Sequence, residues 1–304
     1  MMPFRHITPV EPRDASGLVT EVYSQQARDM GLSRMPALMT LSPVPELLAA
    51  TWSLLRESLV AGPVSRTERE LVALGVSMRN QCPFCVDAHT MLLHATGDHR
   101  LAESIARGER PADPRQAALL DGRGLDAPEL VAVALTFHFI NRMVSALHTP
   151  EVLPAGLARL RPVRSLAGRS LAGAARRVAP PGDSLRLLPV RPEAPAWAGD
   201  SPAGTAYAAL VELAGRPLGP WCEAVRAEVA AWDGAHPGLA GPALSEEHGP
   251  RFRLAALAAL APYRIGERDV AAAGLDDAEL VRVLAFGAIT AVRRQESLLP
   301  GIRL

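Results

Sequence analysis

The chain has 304 residues and carries 32 basic against 32 acidic side chains, so its formal net charge is +0. That balance argues against nucleic acid or an anionic membrane surface as partner, because neutralising phosphates needs a clustered surplus of cations. Apolar residues make up 48% and charged residues 21%, as in a chain that folds around a core, and lysine is absent altogether, which excludes Schiff-base and P-loop lysine chemistry.

In chain order, the start MMPFRHITPVEPRD lacks an apolar segment after Arg5 and His6 and does not read as a secretory signal. Helical spacing then recurs at Leu18 to Met30, Pro45 to Val60, Thr67 to Met78, Pro83 to Thr96, His99 to Arg107, Pro114 to Leu120 and Pro128 to Leu147. Ser65 with Glu68 and Asp126 with Glu129 have capping-box spacing, and Gly97 is placed to close the helix that begins at Pro83. From about Pro150 to Pro202 prolines punctuate an arginine-rich stretch, which reads as a solvated connection holding at most short helices between Leu157 and Val178; without interleaved aromatics it does not resemble an RNA-binding arm. Helical spacing resumes at Thr205 to Ala214, Trp221 to Trp232, Arg251 to Leu260 and Asp277 to Leu299. Alternating strand patterns are lacking, so the expected class is all-α.

A length of this order suggests two units. Leu125-Asp-Ala-Pro-Glu-Leu-Val-Ala-Val133 and Leu275-Asp-Asp-Ala-Glu-Leu-Val-Arg-Val283 agree at six positions with an offset of 150. The expected organisation is therefore a catalytic domain at 1–153, a Pro/Arg-rich linker at 154–202 and a degenerate helical copy at 203–304 without the cysteine pair. The longest unbroken apolar runs, Leu130 to Leu135 and Leu254 to Ala261, are far shorter than the ~20 residues that span a bilayer, so a cytoplasmic protein with no membrane partner is expected.

Three cysteines are too few for a disulfide framework. Cys222, beside Trp221, reads as a small core residue, whereas Cys82-Pro-Phe-Cys85 in a reducing compartment points to redox or metal chemistry. With Pro83 at the first helical position, Cys82 becomes the N-cap and Cys85 lies in the first turn, where free N–H groups favour a thiolate; both thiols are expected below the ~8.5 of free cysteine. Cys82, Cys85 and His89 follow i, i+3, i+7 spacing, which puts an imidazole one turn beyond Cys85 as a proton acceptor. Glu70, on the preceding helix beside Leu71 and Leu74, is a candidate for a raised pKa and for holding a proton.

The segment ELVALGVSMRNQCPFCVDAHT, with twelve residues from Glu70 to Cys82 and four from Cys85 to His89, resembles the signature of the alkylhydroperoxidase D-like members of the carboxymuconolactone decarboxylase superfamily. AVALTFHFINRMVSAL, with Asn141 and Arg142, is similar to the family's next helix, and the resemblance covers about Ser16 to Pro150. It implies an all-helical fold, a homo-oligomer, no cofactor, and a dithiol that reduces a hydroperoxide substrate and is restored by a thiol or dithiol reductant. Carried over, Cys85 attacks the peroxide, Cys82 resolves it, and Glu70 and His89 relay protons. The chain departs from the well-studied peroxidases at Phe84, where they carry a second histidine.

Three other readings remain. A metal site built from Cys82, Cys85, His89 and Glu70 lacks the second, distant ligand pair usual for structural zinc. Decarboxylation fits less well, since that branch of the superfamily generally lacks paired cysteines. A non-redox helical scaffold is the third.

Overall fold

Proline at the first turn and glycine after the last set many of the helix boundaries. The computed structural model describes residues 4–151, 154–238 and 241–299. Its helices are α1 Gly17–Met30, α2 Pro36–Met39, α3 Pro45–Leu55, α4 Arg66–Arg79, α5 Pro83–Thr96, α6 His99–Ala106, α7 Pro114–Leu120, α8 Pro128–Leu147, α9 Arg161–Ala175, α10 Pro202–Ala214, α11 Trp221–Ala230, α12 Gly249–Leu260, α13 Glu267–Ala273 and α14 Asp277–Leu298. Among the described residues there is no strand, only the isolated bridges Phe4 to His148 and Ala61 to Ala179. The all-α expectation holds.

Prolines open α3, α5, α7, α8 and α10, and Gly97 closes α5 in the left-handed conformation at φ 109°. Ser65 Oγ caps α4 by accepting the Glu68 N–H at 3.2 Å. Asp126 does not cap α8: with Pro128 as the first helical residue the N-cap falls on Ala127, and Asp126 instead pairs with Arg115 at 2.7 Å. The reciprocal box appears in the second half, where Asp276 and Glu279 each accept the other's N–H. The run from Pro45 to Val60 is one helix whose last turn is wider, the Ala61 N–H reaching back to the Arg56 carbonyl at 2.8 Å.

The centre of the fold is α8. It is buried without interruption from Leu130 to Val144, and α4, α10, α12 and α14 pack around it. It is long and apolar enough to cross a membrane, but 94% of its most apolar window lies inside the protein. That explains an apolar circumference in place of a stripe. Two glycines permit the closest approaches nearby: a Cβ at Gly75 would overlap the Leu120 carbonyl, and one at Gly287 would overlap that of Ala255. Gly75→Ala and Gly287→Ala are each expected to lose about 1–3 kcal/mol, read as a lower urea midpoint, because backbone cannot yield as a flexible side chain does. Unchanged midpoints would contradict this packing.

The stretch expected to be a solvated linker is packed. α9 lies against α5, with Gly168 facing His94, and Arg164 pairs with Glu103 at 2.8 Å. Further on, Glu57 accepts the Gly182 N–H at 2.7 Å and the Ser184 hydroxyl at 2.6 Å. The fully buried Arg56 beside it binds Asp29 at 2.5 Å, Glu57 at 2.6 Å and the Pro180 carbonyl at 3.1 Å. A buried guanidinium needs that many partners, and the proline-rich segment supplies some of them. The expectation of short helices at most is corrected as well: α9 runs 15 residues, Arg161–Ala175, because Pro162 sits in its first turn and the next proline comes only at Pro180.

The two halves share one apolar core. Arg5 donates to the Ile265 carbonyl at 2.9 Å, the Thr8 N–H to Asp277 at 2.8 Å, and Arg142 to the Ala259 carbonyl at 2.8 Å. A fragment ending at residue 153 bares the faces of α8 that α10, α12 and α14 cover. It is expected to aggregate or to change its assembly state in size-exclusion chromatography, and a stable, soluble fragment with unaltered assembly would refute the shared core.

Candidate active site

The loop between α4 and α5 is a tight turn. The Cys82 N–H returns to the Ser77 carbonyl at 3.0 Å, and Gln81 takes the left-handed conformation, uncommon outside glycine, at φ 48°. Pro83 then starts α5, making Cys82 the N-cap and placing Cys85 in the first turn, as the spacing predicts. Both sulfurs are buried, and both are free thiols.

Their environments diverge. Burial alone would raise the Cys82 thiol, but donors from the Cys85 thiol, the Cys85 backbone N–H and the Ser145 hydroxyl outweigh it and hold Cys82 below the ordinary thiol range. Burial and the adjoining Cys82 sulfur push Cys85 well above that range. The expectation that both thiols are acidified thus holds for Cys82 and fails for Cys85, because burial and the neighbouring Cys82 sulfur both oppose a charge on Cys85.

Glu70 is fully buried on α4. Its Oε1 accepts from Arg66 Nε at 2.7 Å and its Oε2 from His89 Nδ1 at 2.7 Å. Burial favours the protonated acid, yet the Arg66 charge and the two hydrogen bonds overcome it, so the carboxyl lies below its usual range. The sequence-based expectation of a raised pKa is therefore corrected: Glu70 is a carboxylate and not a proton store. Its bond to Nδ1–H leaves the lone pair of neutral His89 on Nε2, and the His89 ring meets Phe137 edge-on at 4.3 Å.

The four residues singled out by sequence thus form two pairs, Cys82 with Cys85 and Glu70 with His89. Among the described residues no hydrogen bond joins His89 to either sulfur. Nor is a four-ligand metal set assembled, since both Glu70 oxygens are engaged by Arg66 and His89.

A cavity of about 300 Å³ reaches Cys82 but is not lined by Cys85. Its other walls include Arg5, Phe84, Ser145, His148, His236 and Tyr263. His148 donates Nδ1–H to the Thr149 carbonyl at 2.8 Å, which leaves Nε2 as a buried acceptor without a partner among the described residues. Burial lowers its pKa. Phe84, at the position of the familiar second histidine, packs on the His148 ring at 4.4 Å.

Sequence reasoning missed these walls. Ser145 and His148 were accessible to it, as polar residues four and seven places beyond Asn141 on an apolar helix. His236 and Tyr263 come from the second half and carry no local signal.

Residues 45–113, which include Glu70, Cys82, Cys85 and His89, match the model of the carboxymuconolactone decarboxylase family. The chain is 38% identical to an alkyl hydroperoxide reductase of Mycobacterium tuberculosis, over 95% of this chain and 93% of that protein. No solved structure matches. Likeness over nearly the whole length to a reductase of that kind, together with the family match across the cysteine helix, means that the chain belongs to the carboxymuconolactone decarboxylase superfamily, among its alkylhydroperoxidase D-like members.

Proposed function

We propose that the protein is a thiol peroxidase that reduces an alkyl hydroperoxide through Cys82 and Cys85. The observation that carries this reading is a thiol at the N-cap position of a helix, held below the ordinary range and lining a cavity, with a second thiol three residues away. The relative's name supports the substrate class.

The Cys82 thiolate attacks the outer peroxide oxygen; the O–O bond breaks, the alkoxide takes a proton and leaves as the alcohol, and Cys82 becomes a sulfenic acid. Cys85 then gives up its proton, its sulfur attacks the Cys82 sulfur, and water departs as the disulfide forms. A thiol or dithiol reductant returns the pair to its starting state. This order is the reverse of that carried over from the family resemblance. It follows from which sulfur meets the cavity and which is held protonated. His89, one turn beyond Cys85, takes the Cys85 proton directly or through a water, and Glu70 is a positioning residue that fixes its tautomer.

The experiment is a thiol count. One equivalent of an alkyl hydroperoxide is expected to remove two of the three thiols, with mass mapping placing the bridge at Cys82 and Cys85 and leaving Cys222 free. No loss of thiols, or a bridge to Cys222, would overturn the reading. Cys222 is buried and accepts the Leu218 N–H at 3.2 Å, as befits a core residue.

The second half is best explained as a copy that has lost its chemistry. In the first half α4 packs on α7 and α8, and α3 on α8; in the second α12 packs on α13 and α14, and α10 on α14. Between α12 and α13 there are only residues 261–266, too few for a counterpart of α5 and α6. A homo-oligomer in the cytoplasm, where reductants keep the pair as thiols, completes the proposal.

A further inference from the structure

One turn back along α8 from Ser145, a second cavity of about 300 Å³ lies between α8 and the second half. No carboxylate is among its lining residues. Arg142, 5% exposed, gives Nε to the Ala259 carbonyl at 2.8 Å and Nη1 to the His138 carbonyl at 2.7 Å, and lies over the Trp232 ring at 5.5 Å. Those acceptors are neutral, and among the described residues no acidic group pairs with it, so its charge is uncompensated. Burial lowers its pKa only to about 10, which leaves it a cation at neutral pH.

The neighbouring groups are also donors in want of an acceptor. Asn141, 1% exposed, accepts the Ser77 hydroxyl on Oδ1 at 3.3 Å, while its buried Nδ2 has no partner among the described residues. His236 accepts the Gly238 N–H on Nδ1 at 3.1 Å, so its proton sits on Nε2, which is buried and likewise unpartnered. His138 Nδ1 faces two donors, Asn80 Nδ2 at 3.4 Å and Arg142 Nη1 at 3.5 Å. Leaving a buried cation and two buried donors unsatisfied is costly, and an anion with several lone pairs removes the whole cost.

The remaining walls identify the anion. Trp232, Leu260 and Pro262 offer apolar surface that suits a carbon chain and gives nothing to a hydrated inorganic ion. The position fixes the relation to the sulfur: Asn141 and Ser145 are four residues apart on α8, about 6 Å along the axis, and Ser145 lines the same cavity as Cys82. His236 lines both cavities. We propose that Arg142, Asn141 and His236 hold the carboxylate of the substrate, so that the substrate class is an organic acid bearing a hydroperoxide on its carbon chain, with the O–O bond presented to Cys82. This rests on the peroxidase reading above.

The test uses the reduced full-length protein and two measurements. In calorimetric titration, octanoate is expected to bind at least tenfold more tightly than octanol or methyl octanoate, and to outcompete inorganic phosphate at equal ionic strength. In steady-state assays, the hydroperoxide of an unsaturated fatty acid is expected to show a kcat/KM at least tenfold above that of its methyl ester. Arg142→Gln should abolish both preferences; since that buried change threatens folding, the less buried His236→Ala should weaken octanoate several-fold with its circular dichroism unchanged. Equal binding of octanol and octanoate, or phosphate binding in place of octanoate, overturns the carboxylate site. Turnover of acid and ester alike at equal efficiency overturns it while leaving the peroxidase standing. Octanoate binding without turnover of either hydroperoxide removes the peroxidase reading, and with it the assignment of this site to a hydroperoxide.

Discussion

Cys85→Ser protein given one equivalent of an alkyl hydroperoxide is expected to accumulate a sulfenic acid at Cys82, trappable by a dimedone-type reagent, whereas Cys82→Ser forms none at Cys85. Each variant should lose turnover by ~10³-fold or more, as nucleophile deletions commonly do. The argument is electrostatic and steric together. Cys82 is the N-cap residue of α5 and lines the cavity, with the Cys85 N–H and the Ser145 hydroxyl near enough to keep its thiol below the ordinary range, while Cys85 is held protonated by burial and by the neighbouring sulfur. A protonated Cys85 is what the second step requires, for a thiol that resolves must survive the first step and then be deprotonated. His89→Gln therefore should leave sulfenic acid formation at Cys82 nearly intact and slow disulfide closure by ~100-fold, the scale of one general base. Sulfenic acid on Cys85 in the Cys82→Ser protein, with none on Cys82 in the Cys85→Ser protein, would restore the opposite order.

Much of this site was legible because the informative residues lie within one local segment. Pro83 after Cys82 and Gly97 after Thr96 define α5 almost by themselves, and the spacing of Glu70, Cys82, Cys85 and His89 rests on two adjacent helices. Local spacing fixes who neighbours whom along a helix. It does not report charge balance: Arg66, four residues before Glu70, is the partner that turns a buried acid into a carboxylate, and the two were not connected from sequence. Nor does it report what crosses from the other half. His236 and Tyr263 reach the Cys82 cavity through packing of α8 against α12 and α14, and Arg5, from the chain's start, joins them by its bond to Ile265, a consequence of global burial that leaves no periodic trace. The proline-rich segment erred for a related reason, since the partners that bury it, Arg56 and Glu57, lie more than a hundred residues earlier.

Glu70→Gln is expected to destabilise the protein by about 3–5 kcal/mol at pH 7, the range seen when one member of a buried ion pair is removed. The reason lies in Arg66. Its Nε is bound to Glu70, and its Nη1 and Nη2 are buried without partners among the described residues, so a neutral amide leaves a buried cation with no counter-charge. The pH dependence gives a signature that a loss of packing lacks. The folded-state pKa of Glu70 is depressed below the unfolded value of about 4.3, so its contribution is fully present above that value and is lost as pH falls through the depressed folded one. Wild type and Glu70→Gln, compared by urea unfolding at neutral and acidic pH, should therefore differ most near neutrality; the difference begins to shrink below about pH 4.3, where the unfolded chain's carboxyl takes up its proton, and disappears once pH has fallen through the depressed folded value. A difference that stays constant with pH would assign Glu70 a packing role alone. The same variant separates the structural from the chemical contribution of this carboxylate: with His89 no longer anchored at Nδ1 by a charge, closure of the disulfide should slow while peroxide attack by Cys82 continues, because the capping donors that acidify Cys82 lie on α5 and α8 and are untouched.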